Sequence, residues 1–146
     1  MVKIPIVVDT NVFVGALKSS GGVNRKIIRL CMDGLVVPLM GAALFAEYED
    51  LTARRSLFVN CPLNEGQRNE LLDAFLSVCQ WSSVYFLWRP NLRDEADNHL
   101  VELAAAGGAK VIVTHNVRDF AGEHMEFLGI SSVTPAEFLK ELETKR

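Results

Sequence analysis

The sequence predicts an α/β fold, a three-layer α/β/α sandwich around a central parallel sheet, and three observations carry that expectation. Short β-branched runs, "IPIVVD" at 4–9 and "AKVIVT" at 109–114, are apolar on both faces, as buried parallel strands are. Amphipathic segments of helical period lie between such runs. Strands that alternate with helices build βαβ units with right-handed crossovers. With 146 residues, 49% of them hydrophobic and 23% charged, the chain suits one domain, 1–146, with a sizeable core rather than a disordered tract.

In chain order, residues 4–9 form the first strand. "NRKIIRLCMDG" is a helix, with Ile27, Ile28, Leu30 and Cys31 inward and Gly34 as its stop. "LVVPL" (35–39) is the second strand, with Pro38 near its end. "AALFAEYEDLTARR" (42–55) is a helix whose apolar stripe is Leu44, Tyr48 and Leu51. "SLFVNCPLNEG" reads as loop, and "QRNELLDAFLSVCQ" (67–80) as an amphipathic helix. "SSVYFLW" (82–88) alternates as a strand, and the aromatics Trp81, Tyr85 and Trp88 read as core or interface. A helix over 94–106 precedes the strand 109–114. The close, "TPAEFLKEL", has Thr134 as N-cap, Pro135 in the first turn and Glu137 completing a capping box.

No apolar run is long enough to span a bilayer, and the initial "MVKIPIVVDTNV" ends its apolar run in an acid rather than a cleavage site. Three distant cysteines, Cys31, Cys61 and Cys79, argue against a disulfide framework or zinc ribbon and for a cytoplasmic setting, with Cys31 and Cys79 as core residues on helix faces. A formal net charge of −3 counts against nucleic-acid binding by overall charge and leaves room for a local basic patch. Arg25, Lys26, Arg29, Arg54, Arg55, Arg89, Arg93 and Arg118 are the cations such a patch would draw on.

Candidate chemistry gathers at strand ends, where open parallel sheets bind ligands. Asp9 closes the first strand, and taken alone it reads as a helix N-cap. Glu47 borders its helix's apolar stripe, where an acid either snorkels to pair with Arg54 or Arg55 or serves a site. Asp97 falls on the apolar face with Leu100, Val101 and Ala104, while Glu95, His99 and Glu102 point toward water. An unpaired buried carboxylate costs several kcal/mol, so an arginine or a divalent metal should meet Asp97. Thr114, Asn116 and Asp119 follow a buried strand, where ordinary turn chemistry would also place them. Taken together, oxygen ligands without cysteine or histidine in the same faces select a hard cation such as Mg²⁺ or Mn²⁺.

"VVDTNVFVGAL", "ALFAEYEDL", "RDEADNHLVELAAAGGAKVIVTHNVRDF" and "TPAEFL", in this order and over residues 4–140, resemble the PIN-domain ribonucleases, nearest to the branch grouped with bacterial toxin–antitoxin toxins. The resemblance implies a metal-dependent endoribonuclease on a PIN-like fold. It matches Asp9, Glu47 and Asp97 to the family's acids. A fourth acid is frequent two positions after the threonine of the last motif, where this chain has Asn116, with Asp119 three further on. On this reading Asp9, Glu47 and Asp97 ligate the metal, Asp119 shapes the far side of the catalytic site, and Asn11, Thr114 and Asn116 support it. The resemblance also implies an RNA substrate, a homodimer and a small antitoxin partner.

Three rivals are weaker. A phosphotransfer hydrolase of the haloacid dehalogenase kind, with Asp9 as nucleophile, wants a second Asp where Asn11 stands. A nucleotide-binding protein would carry GxGxxG or GxxxxGK[ST], and "SSGG" (19–22) is neither. A catalytically weak PIN fold that binds RNA or protein draws its motive from Asn116.

Overall fold

The computed structural model describes residues 3–19, 21–83, 98–120 and 123–144. These form one sheet of five parallel strands: β1 (Ile4–Val8), β2 (Val36–Met40), β3 (Gln80–Trp81), β4 (Val111–Val113) and β5 (Ser131–Val133). Around it lie α1 (Thr10–Lys18), α2 (Val23–Met32), α3 (Ala42–Thr52), α4 (Glu65–Val78), α5 (Asn98–Gly107), α6 (Glu123–Leu128) and α7 (Pro135–Thr144). The α/β/α architecture follows from the βαβ alternation.

Strand order is β3-β2-β1-β4-β5. The chain steps outward from β1 through β2 to β3, then returns to β1's other side for β4 and β5. That reversal makes a switch point between β1 and β4, and their carboxyl ends flank a crevice where doubly wound sheets bind ligands. Val8 is level with Val113 there, and Asp9 N donates to Val113 O at 2.9 Å, so the residues after both strands are held side by side.

Burial on both faces explains why the strands read as continuous apolar runs. Ile6, Val7, Val8, Ile112 and Val113 are all but inaccessible. Phe13 of α1, Tyr48 of α3 and Phe75 of α4 meet with ring centroids 5.3–5.7 Å apart, which ties three helices into one cluster. The fully buried Tyr48 hydroxyl donates to Val8 O at 2.7 Å. That bond fastens α3 to the carboxyl end of β1.

Several elements depart from the sequence expectation. The 42–55 helix stops at Thr52, and a 3₁₀ turn (Arg55–Phe58) occupies part of the expected loop. α4 starts at Glu65 because Asn64 and Gln67 exchange side-chain-to-backbone bonds, both 2.9 Å, in a capping box. β3 begins at Gln80, before the expected 82, where it pairs with Leu39 and Met40 beyond Pro38. Ser82 and Ser83 of the expected 82–88 strand lie past the end of β3 and are not strand, while 84–88 and the 94–97 start of the following helix lie outside the described residues. Short elements α1, α6 and β5 carried no periodic signal long enough to be read. Gly34 does close α2: its φ is +78°, and the next N–H, that of Leu35, reaches back to Leu30 O at 3.1 Å. Trp81 is not core, being 52% exposed. Cys31 is buried and Cys79 partly so at the end of α4, and burial pushes both thiols up to about 12, which leaves them inert.

Candidate active site

Asp9 follows β1 directly and caps α1, its Oδ1 accepting from Thr10 N at 2.7 Å. An N-cap and a site carboxylate are therefore one side chain. Its other oxygen accepts from Thr114 Oγ1 at 2.8 Å and Asn11 Nδ2 at 3.3 Å, across the β1–β4 switch point. Only 4% of Asp9 is exposed. Burial raises its pKa above the ordinary value, hydrogen bonds from Thr114 and Thr10 pull against that rise, and the negative charge of Glu47 adds to it.

Glu47 stands one residue before the anchored Tyr48, so its half-buried side chain reaches the N-terminal turn of α1. The Thr10 hydroxyl donates to Glu47 Oε1 at 2.7 Å and lies 3.4 Å from Asp9 Oδ1. A single hydroxyl thus bridges the neighbourhood of both carboxylates. The second Glu47 oxygen is 3.0 Å from His99 Nε2. That bond, with the Thr10 hydroxyl and the charge of His99, outweighs burial and holds Glu47 below the usual carboxylate range. Neither Arg54 nor Arg55 pairs with Glu47: Arg54 takes Asp50 at 2.6 Å on the exposed side of α3.

His99 corrects the sequence reading, which pointed it toward water. α5 packs on β1, β2 and β4 and also touches α3, so a flank beside its sheet-facing side is covered as well and the His99 side chain is only 20% exposed. His99 Nδ1 is buried with no hydrogen-bond partner among the described residues. Thr10 was likewise not singled out; its place immediately after a strand-terminal acid was the available signal. Asp97 and the cations Arg89 and Arg93 lie outside the described residues.

Asn116 arrives by its backbone, whose N–H donates to Thr114 Oγ1 at 3.0 Å, while its side chain is exposed. Asn11 Oδ1 accepts from His115 N at 3.2 Å, closing a polar ring around Asp9. Asp119, on a 3₁₀ turn (Val117–Phe120), lines a cavity of about 480 Å³ with Thr134, Glu137 and Arg118, and no hydrogen bond joins it to Asp9 or Glu47. Arg25 is spent on structure, its guanidinium giving two bonds (2.9 and 2.7 Å) to Ala16 O at the end of α1.

Neither Lys nor Arg pairs with Asp9 or Glu47 among the described residues. Among the described residues the donors to Asp9 are neutral, and the charge that acts on it is that of another carboxylate, Glu47. Two carboxylates side by side, with no Lys or Arg against either among the described residues, suit a hard divalent cation. Among the described residues no group of three or more His, Cys, Asp or Glu side chains could hold such an ion.

Comparison with known proteins adds three findings. A family model described as PIN domain matches residues 5–118. The uncharacterized protein MJ1680 of Methanocaldococcus jannaschii is 28% identical over 154 residues, an alignment covering 97% of this chain and 94% of that protein. The crystal structure of VapBC2 from Rickettsia felis bound to a DNA fragment from their promoter is similar with a TM-score of 0.56 and 16% identity, over 90% of this chain and 98% of the other. At that identity the likeness speaks for the fold.

Proposed function

We propose, from the premise that this chain belongs to the PIN-domain family, that it is a metal-dependent endoribonuclease and the toxin of a toxin–antitoxin pair. The observation that carries the nuclease reading is the carboxylate pair itself. Asp9 and Glu47 converge on one hydroxyl at the sheet's switch point, without a Lys or Arg partner among the described residues. The toxin assignment draws on the sequence resemblance and on the VapBC2 fold likeness.

Asp9 and Glu47, with Asp97 as the third acid, would hold Mg²⁺ or Mn²⁺. Such an ion, when bound, supplies positive charge to a phosphodiester and acidity to water. The chain's own residues prepare the place. Thr114, Asn11 and the Thr10 N–H fix both oxygens of Asp9. Thr10 and His99 fix Glu47 and keep it ionised through neutral pH, so it orients water rather than storing a proton. Asp119 and Asn116 shape the side toward β5. A homodimer, an antitoxin partner and a cytoplasmic setting belong to the same reading. Among the described residues no helix is long and apolar enough to cross a membrane.

The test is cleavage of a mixed structured RNA pool by purified protein in Mg²⁺, in Mn²⁺ and in EDTA, beside folded Asp9→Asn and Asp97→Asn variants. Cutting that needs the metal and is lost in both variants is expected. Absence of cutting in either metal would overturn the reading and leave a PIN fold that binds RNA or protein, the alternative that Asn116 suggests.

A further inference from the structure

Gly15 stands inside α1, where helix propensity asks for alanine, and its φ is not positive, so no turn requires it. What it supplies is space. A Cβ there would overlap Asn24 Nδ2 and lie 2.9 Å from Asn24 Cγ, so the missing methyl is what lets the Asn24 side chain of α2 lie against α1. From that seat Asn24 Oδ1 meets His115 Nε2 at 2.6 Å. An amide oxygen only accepts, so Nε2 carries the proton and the neutral ring is held in one tautomer.

His115 is the residue after Thr114, in the loop that leaves β4. Thr114 N still bonds to Val133 O at 2.9 Å, but the next N–H, that of His115, turns to Asn11 Oδ1 at 3.2 Å. From Thr114 onward the hold on the loop thus passes from the sheet to side chains. Asn11 Nδ2 lies 3.3 Å from Asp9 Oδ2 and 3.4 Å from Thr114 Oγ1, the hydroxyl that gives Asp9 its 2.8 Å bond. The backbone of His115 therefore ties the loop to α1, and its ring ties the same loop to α2. His115 is exposed, and an exposed hydrogen bond exchanges with water and contributes little to global stability. Its effect is on geometry.

We propose that Asn24 and His115 form a clasp, in which Asn24 is a positioning residue that acts through His115 to hold Asn11 and Thr114 against Asp9. The inference rests on the reading of Asp9 and Glu47 as the acids of a metal-dependent nuclease. It adds two residues outside the acids, and a reason for a glycine within α1.

The experiment measures Mn²⁺ binding to the full chain by calorimetry, without RNA. Asn24→Ala and His115→Ala should each weaken binding about tenfold, the lower end for outer residues that orient metal ligands. Their double variant should be no weaker than either single, because both break one contact. His115→Gln, whose amide N–H can stand where the ring Nε2–H does, should recover most of the affinity. Gly15→Ala touches neither partner but displaces the Asn24 side chain. It should weaken Mn²⁺ binding as Asn24→Ala does while the thermal midpoint in EDTA holds or rises, since alanine favours the helix. Wild-type affinity in well-folded Gly15→Ala and Asn24→Ala would overturn the clasp. So would His115→Gln as impaired as His115→Ala, which would mean that the ring acts without Asn24. Amide hydrogen exchange in EDTA reads the clasp without metal or RNA. Exchange at His115 should quicken about tenfold in Gly15→Ala and Asn24→Ala, and an unchanged rate would also overturn it. Wild type that neither binds Mn²⁺ nor cuts RNA sinks the nuclease reading, whereas wild type that does both beside unaffected variants sinks the clasp alone.

Discussion

Asp9 is placed by two demands that conflict, and the conflict is measurable. As the cap of α1 it gives a partner to a backbone N–H, while as a nearly inaccessible carboxylate beside Glu47 it destabilises the metal-free fold when ionised. A pKa raised by folding contributes stability below the unfolded value, and that contribution is lost as pH rises through the folded value. Asp9→Asn, in EDTA, should therefore raise the thermal midpoint at pH 7 by roughly 2–4 °C, a gap of about 1 kcal/mol. The gap should close as pH falls toward the ordinary value of 3.8, checked by scanning calorimetry across that range. Glu47 has the opposite sign: its pKa is lowered, so its contribution is present at neutral pH and fades in acid. Tyr48→Phe strips the donor from Val8 O at the end of β1, and a loss of about 1–3 kcal/mol in urea unfolding is expected for the orphaned buried carbonyl. At this scale the sequence shows Asp9 and Glu47 through position, one ending a strand and one bordering a stripe. It hides His99, because a helical wheel finds one apolar face and says nothing of the contact that α5 makes with α3.

Elements long enough to show a period were legible, and those that were not owe their existence to pairing. β5 is three residues whose N–H and C=O groups are matched by β4, and β3 is two residues matched by β2. β5 could not be read from its own composition, since a strand that short has no alternation to count, and β3 ends just before the alternating run 82–88 that suggested a strand. α1 follows so closely on Asp9 that the strand, the cap and the helix read as one motif. α5 is legible as a helix, yet its end shows how closely it is seated. Gly107, its last residue, lies where an added Cβ would meet the Leu39 side chain of β2 and come within 3.1 Å of Ser82 Oγ. Leu39 is almost fully buried and has nowhere to turn. Gly107→Ala should cost about 1–3 kcal/mol by overpacking, read as a lower urea midpoint with an unchanged slope.

For the whole molecule, the periodicity of the chain announces a parallel α/β/α fold but not the order of its strands, and strand order is what assembles the site. Thr10 and Glu47 are 37 residues apart in sequence, and Asp9 and Thr114 are 105 apart, and they meet only because β1 lies central with β2 on one side and β4 on the other. An unfolded chain holds no such arrangement. An ion that binds these acids therefore binds the native state alone, and its binding free energy appears as stability. At a free metal concentration a hundred times Kd the gain is about 2.7 kcal/mol. Mg²⁺ or Mn²⁺ should accordingly raise the wild-type midpoint by several degrees over a KCl control of matched ionic strength, the control removing general screening of a net charge of −3. Asp9→Asn should start higher in EDTA and gain nothing from the metal, so that the two melting curves cross over as metal is added. Parallel shifts in the two proteins would place the ion elsewhere on the surface. A shift in the wild type alone that grows as pH rises above the ordinary carboxylate value of 3.8 would follow from the raised pKa of Asp9, because the carboxyl must lose its proton before it can serve as a ligand.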